Sequence, residues 1–314
     1  MRIKNNPKIF YMACGLIAEG DRRYDKNDAE IAALADKVRK IPMDDDILQW
    51  FNLAKTGQVD INPYWPRGHA MLIATLFVEE DGTFNIDQFL QFLHDIKAKD
   101  PVGEYQFRIW IAHMPKILTY VEGKFRALWK EYCEIIFARM PLWMPEIEAS
   151  RIPLKEFFGA SVPKLVLTPN LFASPFAADF VRREENTVIV IACKPDVESM
   201  LHEALHTEIV KCRDKFKAFG ESNGLTGFAN LKKMKKLGYM QKDNPTYIAH
   251  VIEECFVRAL SIILAGGGES RLKMHVGYGF TGLPAIAKFY DNYRPTVENL
   301  GDFVDAVLKV MASK

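Results

Sequence analysis

Along the first half of the chain, apolar residues recur at three- and four-residue intervals, the spacing that gathers them on one side of an α-helix. Ile31, Leu34, Ala35 and Val38 do so within 28–39, and Ile47, Trp50, Phe51 and Ala54 within 46–55. Phe89, Leu90, Leu93 and Ile96 repeat the pattern over 87–96, after the turn Glu80-Asp81-Gly82. Asn62-Pro63, Trp65-Pro66 and Gly68 interrupt the periodicity, and the apolar run 71–78 reads either as a strand or as a buried helical segment. A long helical stretch rich in Phe, Leu, Trp and Ile is predicted from Pro115 to Met140, ended by Pro141 and Pro145. That punctuation, around 141–153, separates a mainly helical region, 1–150, from a second region, 151–314, and the two can pack as one unit.

Beyond Pro153 the pattern changes. Val162 to Leu167 suits a short strand broken by Pro169, and 187–192, where Thr, Val, Ile, Val and Ile follow one another, is the clearest strand in the chain. Its place directly before a helix suggests an edge strand lying beside a substrate. Asp196 is set to cap that helix, which carries Val197, Leu201, Leu205, Cys212, Phe216 and Phe219 on one stripe and is expected to end at Gly220. Asn244 as cap and Pro245 at the first position start another helix, through His250, Glu254, Arg258 and Ile262 to the stop Gly266-Gly267-Gly268. A last helix runs from Val297 or Asp302 to Met311. The expected class is α+β: a mostly helical N-terminal half followed by a mixed α/β C-terminal half.

Composition narrows the functions this fold can serve. With 314 residues and 49% hydrophobic content the chain can bury a large core. Its 41 Lys and Arg against 40 Asp and Glu leave no long-range field to draw it to nucleic acid or anionic lipid, so neither is an expected partner. No apolar stretch is long enough to span a membrane. Arg2, Lys4 and Lys8 precede the apolar run Ile9 to Cys14, but about six residues is shorter than the core of a secretion signal, and the run reads as the first turns of a buried helix. Five scattered cysteines, at 14, 133, 193, 212 and 255, with no CxxC pair, fit a reducing compartment and a cytoplasmic location. Oligomeric state is not encoded in any recognisable pattern.

The residues with chemistry to offer are concentrated between 202 and 258. In His202-Glu203-Ala204-Leu205-His206 the two histidines stand one turn apart on the same helix face, so both rings can converge on one metal ion. Glu203 lies about 100° around the helix, where it can reach a metal-held water without taking a coordination position. Zinc acidifies such a water, and the glutamate can accept its proton and pass it to a leaving amine. Chance would place an HExxH in only about one such chain in a hundred. A catalytic zinc needs a third protein ligand. Candidates are His250, Glu253 and Glu254. Glu254 is favoured because Arg258, four residues on, can hydrogen-bond and orient it, while His250 shares its face and can serve as ligand or supporting donor.

This arrangement resembles the gluzincin class of zinc metallopeptidases. The motif 202–206 is followed, 48 residues after its second histidine, by Glu254 within Glu254-Cys255-Phe256-Val257-Arg258-Ala259. The resemblance implies His202, His206 and Glu254 as zinc ligands and Glu203 as general base. It also implies a zincin-like catalytic half, with a sheet packed on the motif helix, and a peptide or protein substrate. It covers about a quarter of the chain, from the strand at Thr187 to the helix at Leu264. The third histidine of the metzincin pattern is absent, as is the Asn-Glu-x-x-Ser/Asp form around the third ligand of thermolysin-like members.

Negative charge on a tetrahedral intermediate requires a donor. His275-Val276-Gly277-Tyr278-Gly279-Phe280 offers His275 or Tyr278, the latter between glycines that permit close backbone approach. The retained alternatives are hydrolysis of a non-peptide amide, or a noncatalytic protein with the same fold. Other features read blandly. Asp81-Gly82-Thr83 lacks the spaced oxygens and closing glutamate of a calcium loop, and Lys232, Lys233, Lys235 and Lys236 suit a solvated helix face. The triple glycine lacks the lysine of a phosphate loop. His69, His94 and His113 have no metal-ligand spacing, Cys193 has no sign of a nucleophile, and Trp110, Trp129 and Trp143 suit a core more than a cleft.

Overall fold

A computed structural model describes residues 2–20, 29–56, 67–96, 101–173, 178–183, 187–236 and 245–313. The expected features at Asp28, Asn62-Pro63, Trp65-Pro66 and Asn244, and the side chains of His69, His94, Lys235 and Lys236, lie outside the described residues. Short β1 (Arg2–Ile3) leads into α1 (Pro7–Ala18), α2 (Ala29–Arg39), α3 (Asp45–Lys55), α4 (Arg67–Ala74), α5 (Ile86–Ile96) and α6 (Pro101–Ile111). Then follow α7 (Met114–Phe125), α8 (Trp129–Ala149), α9 (Arg151–Phe158), β2 (Lys164–Pro169), β3 (Ala178–Arg183) and β4 (Thr187–Ala192). The remaining described elements are helices: α10 (Val197–Ile209), α11 (Arg213–Asn223), α12 (Leu231–Lys236), α13 (Pro245–Leu264), α14 (Glu269–Gly277), α15 (Leu283–Tyr293) and α16 (Leu300–Ala312). The class is thus α+β and rich in helix.

Two apolar cores flank one small sheet. The first gathers α1–α7 and most of α8; the second gathers α9 to α16, and the two meet on α8 between Trp143 and Ile147. Strand order is β1-β2-β4-β3, with β1 and β4 parallel to β2 and β3 antiparallel to β4. Alternate side chains of a strand point to opposite faces. Leu165, Leu167, Val188, Val190 and Ala192 accordingly enter the second core, while Val181 and Ile191 enter the first. That two-sided burial explains why 187–192 is an unbroken apolar run. The Tyr132 hydroxyl on α8 donates to the Pro169 carbonyl (2.9 Å) and accepts from the Leu171 amide (3.2 Å), tying the first core to the end of β2.

Several elements depart from the sequence pattern. The strand at 187–192 is central, and the edge beside α10 belongs to β3, which carries no clear strand signal. Of the two readings of the run 71–78 the helical one holds over 71–77, through α4 and a 3₁₀ turn at Thr75–Phe77, while Val78 bridges to Phe84; Gly68, expected as an interruption, lies inside the first turn of α4. Pro141 and Pro145 do not stop α8; both are exposed, where a carbonyl that loses its amide partner still meets water, while Trp143 and Ile147 anchor the opposite face. Gly220 does not end a helix either. The stripe from Val197 splits at a 3₁₀ turn, Val210–Cys212, and α11 continues to Asn223, closed by Gly224 at φ 62°. At Gly220 a Cβ would lie 2.6 Å from the Ile248 side chain, so this glycine lets α13 approach α11 closely.

Other expectations on the bland side match what is described. Trp110 and Trp143 are buried core residues, Lys232 and Lys233 are exposed, and all five cysteines are free. No helix among the described residues is long and apolar enough to cross a membrane.

Candidate metal centre

Asp196 starts α10 by accepting the Ser199 amide (2.8 Å) and the Ser199 hydroxyl (2.7 Å). From that capped end, Met200, Leu201, Ala204, Leu205 and Ile209 turn into the second core, which leaves positions 202 and 206 toward α13 and β3 and position 198 toward α14. α13 packs across α10 and brings its own acidic pair, Glu253 and Glu254, to the two histidines.

The ring nitrogens meet at their Nε2 atoms. His206 Nε2 lies 3.2 Å from His202 Nε2 and 3.2 Å from Glu254 Oε1, and His202 Nε2 lies 3.8 Å from Glu254 Oε2. Ligands bonded at about 2.0–2.1 Å to a tetrahedral zinc ion stand roughly 3.3 Å apart. Two imidazoles and a carboxylate at these separations can hold a metal ion, and this is the one such group found among the described residues. The donor types suit a borderline cation such as zinc, and three protein ligands leave a fourth position open.

Of the three residues competing for the third position, the structure places Glu254 in the cluster. Glu253 sits behind it: its Oε1 faces His206 Nδ1 at 3.1 Å, and its Oε2 accepts from Arg213 Nη2 at 2.8 Å and Nε at 3.3 Å. A carboxylate on Nδ1 sets the tautomer that leaves Nε2 pointing at the centre. His250 stands outside the cluster, close enough to Glu253 to help keep its carboxyl ionised. Arg258 Nε lies 3.0 Å from Glu254 Oε2, and its guanidinium rests on the Phe280 ring at 4.5 Å.

The electrostatics follow from burial and pairing. Burial drives His202 down to about 3, so its imidazole is neutral, the form that binds metals. For His206 burial also acts downward, but Glu253 and Glu254 outweigh it and raise the ring to about 10. Burial opposes ionisation of Glu254, yet Arg258 and both histidines hold its carboxyl well below the usual range. Glu253, likewise against burial, is held at about 2 by His206, Arg213 and His250. The two histidines together therefore carry one positive charge, which a bound metal ion would displace.

Glu203 is buried beside this group. Burial first, then the charges of Asp179 and Glu254, push its carboxyl up to about 8. Asp179 and Phe180 come from β3, and Phe180 stacks on the His206 ring at 5.3 Å and 9°. Neither residue stands out in the sequence, because β3 depends on its pairing with β4. Glu198 also escaped notice, although its place one turn before His202 on the same face was a readable signal. It pairs with Arg271 through both oxygens (2.8 and 3.1 Å), and burial notwithstanding, His275 and Arg271 lower it to about 2.

His275 turns both nitrogens to protein groups, Nδ1 to Arg258 Nη1 (3.4 Å) and Nε2 to Glu198 Oε1 (3.6 Å). Tyr278 stands edge-on to it at 5.7 Å and is 40% exposed. Comparison with protein-family models, curated proteins and solved structures finds no match to this chain.

Proposed function

We propose that this protein is a zinc-dependent hydrolase of peptide bonds with a zincin-like catalytic half. The observation that carries the reading is the convergence of His202 Nε2, His206 Nε2 and Glu254 within 3.2–3.8 Å, with Glu203 buried on the same helix. Zinc, when bound, would supply a Lewis acid that polarises a carbonyl and acidifies a water. His202, His206 and Glu254 would hold it, with Glu253 and Arg258 orienting a ligand each.

Glu203 is the proton carrier. A carboxyl at about 8 keeps its proton at neutral pH; beside a bound divalent cation it would ionise, and the Glu203 carboxylate would take a proton from the attacking water and pass that proton to the departing nitrogen. Tyr278, exposed at the end of α14, is assigned as donor to the developing oxyanion. The peptide assignment draws support from β3. As one of the two edge strands of the described sheet, packed on α10 and stacked on His206 through Phe180, it offers main-chain groups to an extended chain lying across the centre.

Metal analysis and cleavage of a peptide library test the reading. The expected result is one zinc per chain, with cleavage abolished by a chelator and restored by added zinc. Protein purified under metal-replete conditions without zinc would overturn it. Substitution Glu253→Ala should weaken zinc binding by about 10–100-fold in competition with a chelating dye, and Glu253→Gln, which keeps an acceptor for Nδ1, should recover most of the loss.

A further inference from the structure

We propose that α14 is a positioning arm of the metal centre: His275 on its last turn holds the Arg258 guanidinium against Glu254, while Arg271 fastens the arm to α10. The inference rests on the metal reading above. Within α14 only His275 is buried. Glycines bracket the helix, Gly266 at φ 73° before it and Gly279 at φ 111° after it. Arg271 grips Glu198 with two hydrogen bonds, Nε at 2.8 Å and Nη2 at 3.1 Å. Glu198 in turn lies 3.6 Å from His275 Nε2, and His275 Nδ1 lies 3.4 Å from Arg258 Nη1.

Arg258 can only donate, so in its contact with His275 it is Nδ1 of the ring that accepts, and Nε2 is left facing the Glu198 carboxylate at 3.6 Å, an electrostatic contact beyond hydrogen-bond reach. Arg258 is thereby held from one side by His275 and from below by the Phe280 ring, with its Nε 3.0 Å from Glu254 Oε2. Glu198 belongs to the same face of α10 as His202 and His206, so the arm is fastened to the helix whose histidines it serves. The direction of the carboxylate ligand then depends on a contact, Arg271 with Glu198, that lies at the surface. Linkage requires the converse: a metal ion that selects the held Glu254 also stabilises the docked arm.

Zinc affinity, measured by chelator competition, and amide exchange over 269–277 test this. Arg271→Ala should weaken zinc binding about 3–10-fold and His275→Ala about 10–100-fold. Lys273→Ala removes an exposed charge from the same helix, paired with Glu269 at 2.9 Å, and should leave affinity unchanged. In the unaltered protein, zinc should slow exchange across α14 several-fold, a readout that needs no variant to fold. Wild-type affinity in both Arg271→Ala and His275→Ala, or exchange in α14 indifferent to zinc in a protein that binds it, would overturn the arm. Absence of zinc binding by the unaltered protein would instead overturn the metal reading, and the arm with it.

Discussion

Replacing Glu203 with Gln should lower kcat/KM by about 10²–10⁴-fold, roughly 3–5 kcal/mol of transition-state stabilisation, and leave zinc content unchanged. The amide keeps the size and polarity of the side chain but cannot take a proton, and Glu203 is not one of the three converging donors. The same substitution has a signature in the metal-free protein. Glu203 rises from 4.5 in its ordinary state to about 8 on burial, so the native chain binds a proton there that the unfolded chain releases. Stability from this group is complete below about 4.5 and is lost as the pH climbs through about 8. Glu203→Gln should therefore gain on the unaltered protein as thermal melts move from pH 4 to pH 9. Equal turnover by the two proteins would remove Glu203 from the chemistry, and parallel melting curves at all pH values would show that its carboxyl is not held protonated by burial.

Trp50→Ala should cost about 3–5 kcal/mol of stability in denaturant titration. Trp50 on α3 and Trp110 on α6 stack at 4.4 Å and 18°, and each indole N–H donates to the other's backbone carbonyl, at 3.0 and 2.9 Å. Both are buried, so truncation removes apolar burial, the stacking contact and the donor to the Trp110 carbonyl. Trp50→Phe keeps an aromatic ring and loses the donor, and should cost about 1–2 kcal/mol. A loss below about 1 kcal/mol for Trp50→Ala would mean that this reciprocal pair does not hold α3 to α6.

The local pieces of the candidate metal centre were legible because their determinants lie within one or two helical turns. Asp196 caps α10 and Pro245 opens α13 as their residue types dictate, and His202 and His206 share a face by spacing alone. The Glu254–Arg258 pair, four residues apart, was visible for the same reason. Neighbouring Glu253 shows where such reasoning stops. Two successive glutamates differ by about 100° of helix rotation. Only the way α13 crosses α10 decides that Glu254 meets the Nε2 atoms while Glu253 reaches Nδ1 of His206 and Arg213.

Proline and glycine misled for a related reason. Pro141 and Pro145 oppose helix only through local geometry, and burial of Trp143 and Ile147 on the other side of α8 outweighs them. Gly220 resembles a helix stop, yet its conformation is helical and its lack of a side chain serves the contact with Ile248. Strand β3 exists because β4 supplies its hydrogen-bond partner, and Phe180 and Asp179 reach the centre only through that pairing.

By itself, then, the sequence determined the helical periodicity, the capped motif helix with its two imidazoles one turn apart, and the class of cation those donors suit. These are short-range properties, fixed by 3.6 residues per turn and by the chemistry of each side chain. The tertiary structure decided which glutamate faces the histidines, which strand forms the sheet edge, and that Glu198, Arg271 and His275 join Arg258 behind Glu254. Those depend on crossing angles and strand pairing between segments tens of residues apart, and such contacts form only when apolar burial sets whole elements against one another.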